Sequence, residues 1–187
     1  MTEATPHASV QPSPWITRFS PLVQPGASVL DVACGRGRHM HWFAQRGHTV
    51  TGVDRDAEAL GAARAWGETV EADIENGPWP FADRRFGAVV VTNYLWRPLL
   101  PTILEAVEPG GVLLYETFAQ GNETVGKPSR PDFLLRPGEL LALCSGADWR
   151  VVAYEDGFVP QPERFVQRIA AVRVPASQTD QPPRYPL

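Results

Sequence analysis

A chain of 187 residues has the length of one domain and can bury a full core without disulfides or metal. Its formal net charge of -4 argues against an obligate duplex nucleic-acid binder, which carries a basic face. No apolar run approaches the roughly 18 residues of a membrane span, and the N-terminus shows no charged-then-apolar leader. Cys34 and Cys144 lie far apart with no C-x-x-C spacing, which predicts two reduced thiols in a cytoplasmic protein.

In chain order, residues 1–13 are polar, contain Pro6 and Pro12, and are expected as a flexible lead. Ser13-Pro14-Trp15-Ile16 reads as a short helix with a Ser cap and Pro at its first position. A first strand is expected over 29–33, a helix over 38–45 stopped by Gly47, and a second strand over 49–53. Residues 56–65 are Ala-rich and helical, with Asp54 or Asp56 near the cap. A short strand over 69–71 precedes 87–92, a β-branched run that predicts a strand buried on both faces. A helix over 98–107 ends before Pro109-Gly110, and a fifth strand covers 112–116. Residues 118–136 form a long loop, and 137–144 a helix opened by Pro137. Two strands, 150–155 and 165–174, follow without an intervening helix and suggest a hairpin. The Pro-rich tail 175–187 is expected to be disordered. Strands alternating with helices specify an α/β fold with a doubly wound, mostly parallel sheet.

The densest signal is Val29-Leu30-Asp31-Val32-Ala33-Cys34-Gly35-Arg36-Gly37, followed by Val50-Thr51-Gly52-Val53-Asp54. It reads as strand, Gly-rich turn, helix, strand and terminal carboxylate, a unit that holds an adenosine-containing cofactor. The dinucleotide fingerprint G-x-G-x-x-G requires a third glycine for close helix–strand packing, and that position holds Met40. Asp31 at the end of the first strand suits a cofactor with a positive centre instead. His39, His41 and His48 lack the i, i+4 spacing of a helical metal pair, so no metal site is expected.

These residues resemble the class I S-adenosylmethionine-dependent methyltransferases. Asp31-Val32-Ala33-Cys34-Gly35-Arg36-Gly37 matches the first motif, with Ala33 where many members carry Gly, and Val53-Asp54 matches the ribose acid. Glu71-Ala72-Asp73-Ile74-Glu75, Val89-Val90-Val91-Thr92-Asn93 and Glu108-Pro109-Gly110-Gly111 match the later segments. The resemblance implies a Rossmann-like, doubly wound, mostly parallel seven-stranded sheet with a C-terminal antiparallel hairpin, in a domain over 14–174. It implies S-adenosylmethionine as cofactor, with Asp54 on the ribose, Asp73 at the adenine amino group and Ile74 against the adenine ring. Asp31, Ala33, Cys34, Gly35, Gly37, Arg55 and Asn93 complete the expected cofactor set. Glu116-Thr117-Phe118, Gly126-Lys127-Pro128 and Phe133-Leu134-Leu135 resemble small bacterial methyltransferases of the tellurite-resistance type. That points to a small-molecule or oxyanion acceptor, received by loop cations such as Lys127, Arg130 and Arg136. Tyr94 and Glu116 are the candidate bases. An RNA or protein methyltransferase and a non-catalytic binder of S-adenosylmethionine remain as alternatives, and the pattern specifies no oligomeric state.

Overall fold

The computed structural model describes residues 11–175 and 184–185. Seven strands form one sheet: β1 (Ser28–Val32), β2 (Thr49–Asp54), β3 (Glu68–Glu71), β4 (Phe86–Thr92), β5 (Val107–Phe118), β6 (Trp149–Pro160) and β7 (Glu163–Arg173). Their order is β3-β2-β1-β4-β5-β7-β6. The five strands from β3 to β5 pair in parallel, whereas β7 runs antiparallel to both β5 and β6. The order reverses between β1 and β4, and crevices open at the carboxyl ends of the strands at such a switch point.

Helices cover both faces. α1 (Pro14–Phe19), α2 (Arg38–Ala44) and α3 (Ala57–Ala63) pack Ile16, Phe19, Phe43 and Leu60 against Val29, Val50, Val90 and Leu114. α4 (Leu100–Glu105) and α5 (Glu139–Leu143) pack Ile103 and Leu140 against Val89, Val91, Leu113 and Ile169 on the other face. β4 is buried along its whole length, as its β-branched run predicts. None of the described helices is long and apolar enough to cross a membrane.

Several boundaries differ from the sequence reading. The expected helix 98–107 is a 3-10 turn, Arg97–Leu99, followed by α4. β5 starts earlier, at Val107, and its pairing with β4 slips between Phe86 and Ala88, opposite Pro109-Gly110-Gly111, where Gly110 has φ +84°. β6 and β7 are longer than expected because they run to a tight turn at residues 161–162. The expected lead mostly lies outside the described residues, but Ser13 is built into the fold. Its hydroxyl accepts from Trp15 N and caps α1, and donates to Glu116 Oε1 at 3.0 Å. Of the expected disordered tail, Tyr185 packs beside Arg150, whose guanidinium is 5.8 Å from the ring centre, and residues 176–183 and 186–187 lie outside the description.

Candidate functional site

The turn after β1 is shaped by three consecutive demands. Ala33, Gly35 and Gly37 have φ of +53°, +54° and +78°. Gly37 is required twice over, because a Cβ there would also lie 2.9 Å from Ala63 Cβ of α3. Ala33 adopts a conformation that costs an L-residue about 1–2 kcal/mol, so its departure from Gly is a real strain in the turn. The turn is tied to β2: Cys34 N donates to Val53 O at 3.0 Å, and Gly35 N donates to Asp54 Oδ2 at 2.8 Å. Asp54 Oδ1 accepts from Asp56 N at 3.0 Å. Asp56, not Asp54, caps α3 by accepting from Glu58 N and Ala59 N. Asp54 is therefore held rigidly at the tip of β2 with lone pairs to spare.

Two clefts open at this end of the sheet. The first, about 120 Å³, is lined by Ala33, Asp54, Arg55, Ala72, Asp73, Ile74, Glu75 and Tyr94. The second, about 260 Å³, has polar lining from Glu75, Asn93, Tyr94 and Thr117 and apolar walls from Leu95, Phe118, Pro128 and Phe133. Glu75 and Tyr94 belong to both, so the clefts meet there. Asp73 accepts from the Asn76 side chain at 2.9 Å and from the backbone of Glu75 and Asn76, and these bonds hold its carboxyl below the ordinary carboxylate range. It braces the cleft wall as well as facing the cleft.

Residues 29–111 match the family model of the methyltransferase domain. The chain is similar over these residues to class I S-adenosylmethionine-dependent methyltransferase domains. It is 36% identical over 106 residues to the malonyl-[acyl-carrier protein] O-methyltransferase of Pectobacterium atrosepticum, an alignment covering 52% of this chain and 41% of that protein. It is 39% identical over 94 residues to the ribosomal protein L11 methyltransferase of Burkholderia mallei, covering 48% and 31%. The chain thus spans about two fifths or less of these curated relatives. Its fold is similar to that of TehB from Haemophilus influenzae, with TM-score 0.68 and 18% identity over 85% of this chain and 61% of that one.

The expected cofactor residues separate into two groups. Ala33, Asp54, Arg55, Asp73 and Ile74 line the first cleft and Asn93 the second. Asp31, Cys34, Gly35 and Gly37 line neither; they form and support the turn. Asp31 is buried, and burial raises its carboxyl to about 7 despite the nearby Arg38 guanidinium. Its Oδ2 has no hydrogen-bond partner among the described residues and lies 4.0 Å from His39 Nδ1. His39 accepts from Ser13 N through Nε2, and burial lowers it to about 3, so the ring is neutral.

Of the two candidate bases, one lies away from the clefts and one at their junction. Glu116 is 1% exposed, sits on the α1 face of β5, and is committed to an ion pair with Arg168 and to the Ser13 hydroxyl. The alternation of side chains along β5 sends it away from the clefts, while Tyr115 and Thr117 face the other way. Tyr94 does reach the clefts, but burial first, then the negative charges of Glu75 and Asp73, push its hydroxyl far above the ordinary phenol range. That shift keeps the hydroxyl protonated and available for hydrogen bonding. The sequence reading did not assign Glu75, Leu95, Phe118, Pro128 or Phe133 to the site. Glu75 follows Asp73 by two residues, Leu95 follows Tyr94, and Phe118, Pro128 and Phe133 lie in the segments that carry the tellurite-resistance resemblance; the return of the 119–135 loop, whose Gln120 N donates to Leu135 O, brings the last three together.

Proposed function

We propose that this protein transfers the methyl group of S-adenosylmethionine to a small molecule in the cytoplasm, with the catalytic unit in residues 14–174. The observation that supports this most is the junction of two clefts at Tyr94 and Glu75, beside the locked carboxylate of Asp54. The first cleft suits adenosine. Asp54 accepts from the ribose hydroxyls, Ile74 and Ala72 lie against the ring, and Asp73 accepts from the exocyclic amine. Ala33, Arg55 and Asn93 border the same ligand. Cys34, Gly35 and Gly37 shape the turn above it, and Asp31 acts on the ammonium group of the amino acid end through that turn. The cofactor supplies an activated methyl group, so the residues of this chain serve mainly to orient the acceptor and exclude water. The apolar walls Leu95, Phe118, Pro128 and Phe133 make the second cleft suitable for that exclusion.

Calorimetric titration with S-adenosylhomocysteine, S-adenosylmethionine and NADH tests the reading. Micromolar binding of both adenosyl ligands with NADH silent is expected. In Asp54→Ala the adenosyl affinity should fall about thirtyfold, equivalent to about 2 kcal/mol for lost bonds to a charged acceptor. NADH binding with the adenosyl ligands silent overturns the proposal, and unchanged affinity in Asp54→Ala overturns the ribose assignment. Consumption of labelled S-adenosylmethionine with an acceptor present separates an enzyme from a non-catalytic binder.

A further inference from the structure

The second cleft is sorted by charge. Among the described residues its ionisable lining consists of Glu75 and the neutral phenol of Tyr94; no lysine or arginine lines it. The adjoining cleft adds Asp54 and Asp73 against Arg55 alone. The loop cations expected to receive an anion are otherwise engaged or turned to solvent. Arg97 is bound to Glu139 at 2.7 Å and donates to the carbonyls of Asp132 and Leu134, so it fastens the loop. Arg130, which stacks over Phe133 at 5.2 Å, is already paired with Asp132 at 2.9 Å. Lys127 and Arg136 are exposed and line neither cleft. The segments outside the description, 1–10, 176–183 and 186–187, contain no lysine or arginine. An oxyanion entering the second cleft would leave water to face the Glu75 carboxylate, with Arg55 across in the adjoining cleft the one lining cation among the described residues, which is costly.

Two features are unsatisfied. Tyr94 Oη is buried and has no hydrogen-bond partner among the described residues, although Tyr115 Oη donates to Tyr94 O at 2.9 Å and fixes the backbone beneath it. Glu75 is half-buried at the same junction and its side chain makes no hydrogen bond or ion pair among the described residues. Around them stand four apolar side chains, with the loop held over them by the bond from Asn122 Nδ2 to Pro128 O at 3.0 Å.

Resting on the methyltransferase reading, we infer that the acceptor is an amine on an apolar, aromatic body, and that the cleft rejects oxyanions and carboxylates. The amine arrives protonated, drawn by Glu75, and releases one proton to solvent through that carboxylate. Its remaining N–H groups donate to Tyr94 Oη and Glu75, which leaves the lone pair free. That lone pair forms the N–C bond as the C–S bond breaks. The positive charge passes from sulfur to nitrogen, and the methylated ammonium leaves with it.

Three probes of one shape test this by ligand-observed NMR titration of the full chain: tryptamine, tryptophol and indole-3-acetate. S-adenosylhomocysteine affinity is measured first in the same sample, and the probes are added at saturation. Tryptamine is expected to bind at least tenfold more tightly than indole-3-acetate, with tryptophol between. In Glu75→Gln the tryptamine advantage over tryptophol should disappear. Equal binding, tighter binding of the carboxylate, or binding of none of the three overturns the amine inference while the methyltransferase reading stands. Failure of S-adenosylhomocysteine to bind overturns both.

Discussion

Asp31 and His39 face each other at 4.0 Å, away from water, and titrate in opposite senses. Asp31 rises from 3.8 to about 7 on folding, so between those values the native state keeps a proton that the unfolded chain has released. Stability from this group is fully present below 3.8 and is lost as pH rises through 7. His39 falls from 6.5 to about 3, so over that window the unfolded chain holds the extra proton, and stability is lost as pH falls. The two slopes oppose each other, and the wild type should be nearly flat between about pH 4 and 6.5. Asp31→Asn should become more stable as pH rises across that range, and His39→Gln less stable. Neither slope should exceed about 1.4 kcal/mol per pH unit, the value for one proton. Urea unfolding midpoints from pH 4 to 8 measure this; parallel profiles for all three proteins would contradict the assignment. The pair also shows where sequence reading stops. Asp31 stands out in the sequence from its place near the end of β1, but the neutral His39 beside it depends on a contact with Ser13 that no local pattern announces.

At the scale of elements, the turn and α2 pack by a rearrangement of small and large residues. The third glycine of the dinucleotide fingerprint would let a helix approach a strand; here Met40 fills that position and the clearance comes from Gly52 on β2. A Cβ on Gly52 would lie 2.3 Å from Met40 Sδ and 2.7 Å from Cys34 Sγ. Met40 is fully buried, so its thioether has little room to yield. Gly52→Ala should cost about 1–3 kcal/mol by thermal or urea unfolding. In a Met40→Ala background the same change should cost much less, and simple additivity in the cycle would show that the two residues do not share the space. The same elements show why much of the fold was readable and part of it was not. The 87–92 run and the Ser13-Pro14 start are local signals that formed as read, and of the two acids offered for the α3 cap the structure uses Asp56. The end of β5 was legible as a site region, yet pleat parity sends Glu116 to the far face. Phe118, Pro128 and Phe133 stood in segments that carried a resemblance, but a loop with 3-10 turns and no repeat gives no periodicity to show that they form one wall.

Across the whole molecule, burial declines from the middle of the sheet to one edge. β4 has no exposed residue, whereas β3 is only four residues long and partly or wholly exposed throughout. β3 pairs with β2 alone, helped by Arg84, which bridges Glu68 at 3.0 Å and Thr51 at 3.1 Å in a half-exposed ion pair of small worth. The wall of the first cleft, 72–75, hangs directly from this edge, through the bond from Ala72 N to Asp54 O at 3.0 Å. Amide hydrogen exchange should therefore report local opening of β3 well before β4, which should exchange only by global unfolding. A ligand that bridges Asp54 and Asp73 binds the closed edge alone, so S-adenosylhomocysteine should slow exchange in 68–76 by its mass-action factor; an effect spread evenly over β1–β5 would contradict this. Where cofactor is scarce the edge frays and offers its backbone to proteases and to other strands. On that binding mode a plentiful cofactor would hold the edge closed and tie resistance to proteolysis to the supply of the ligand.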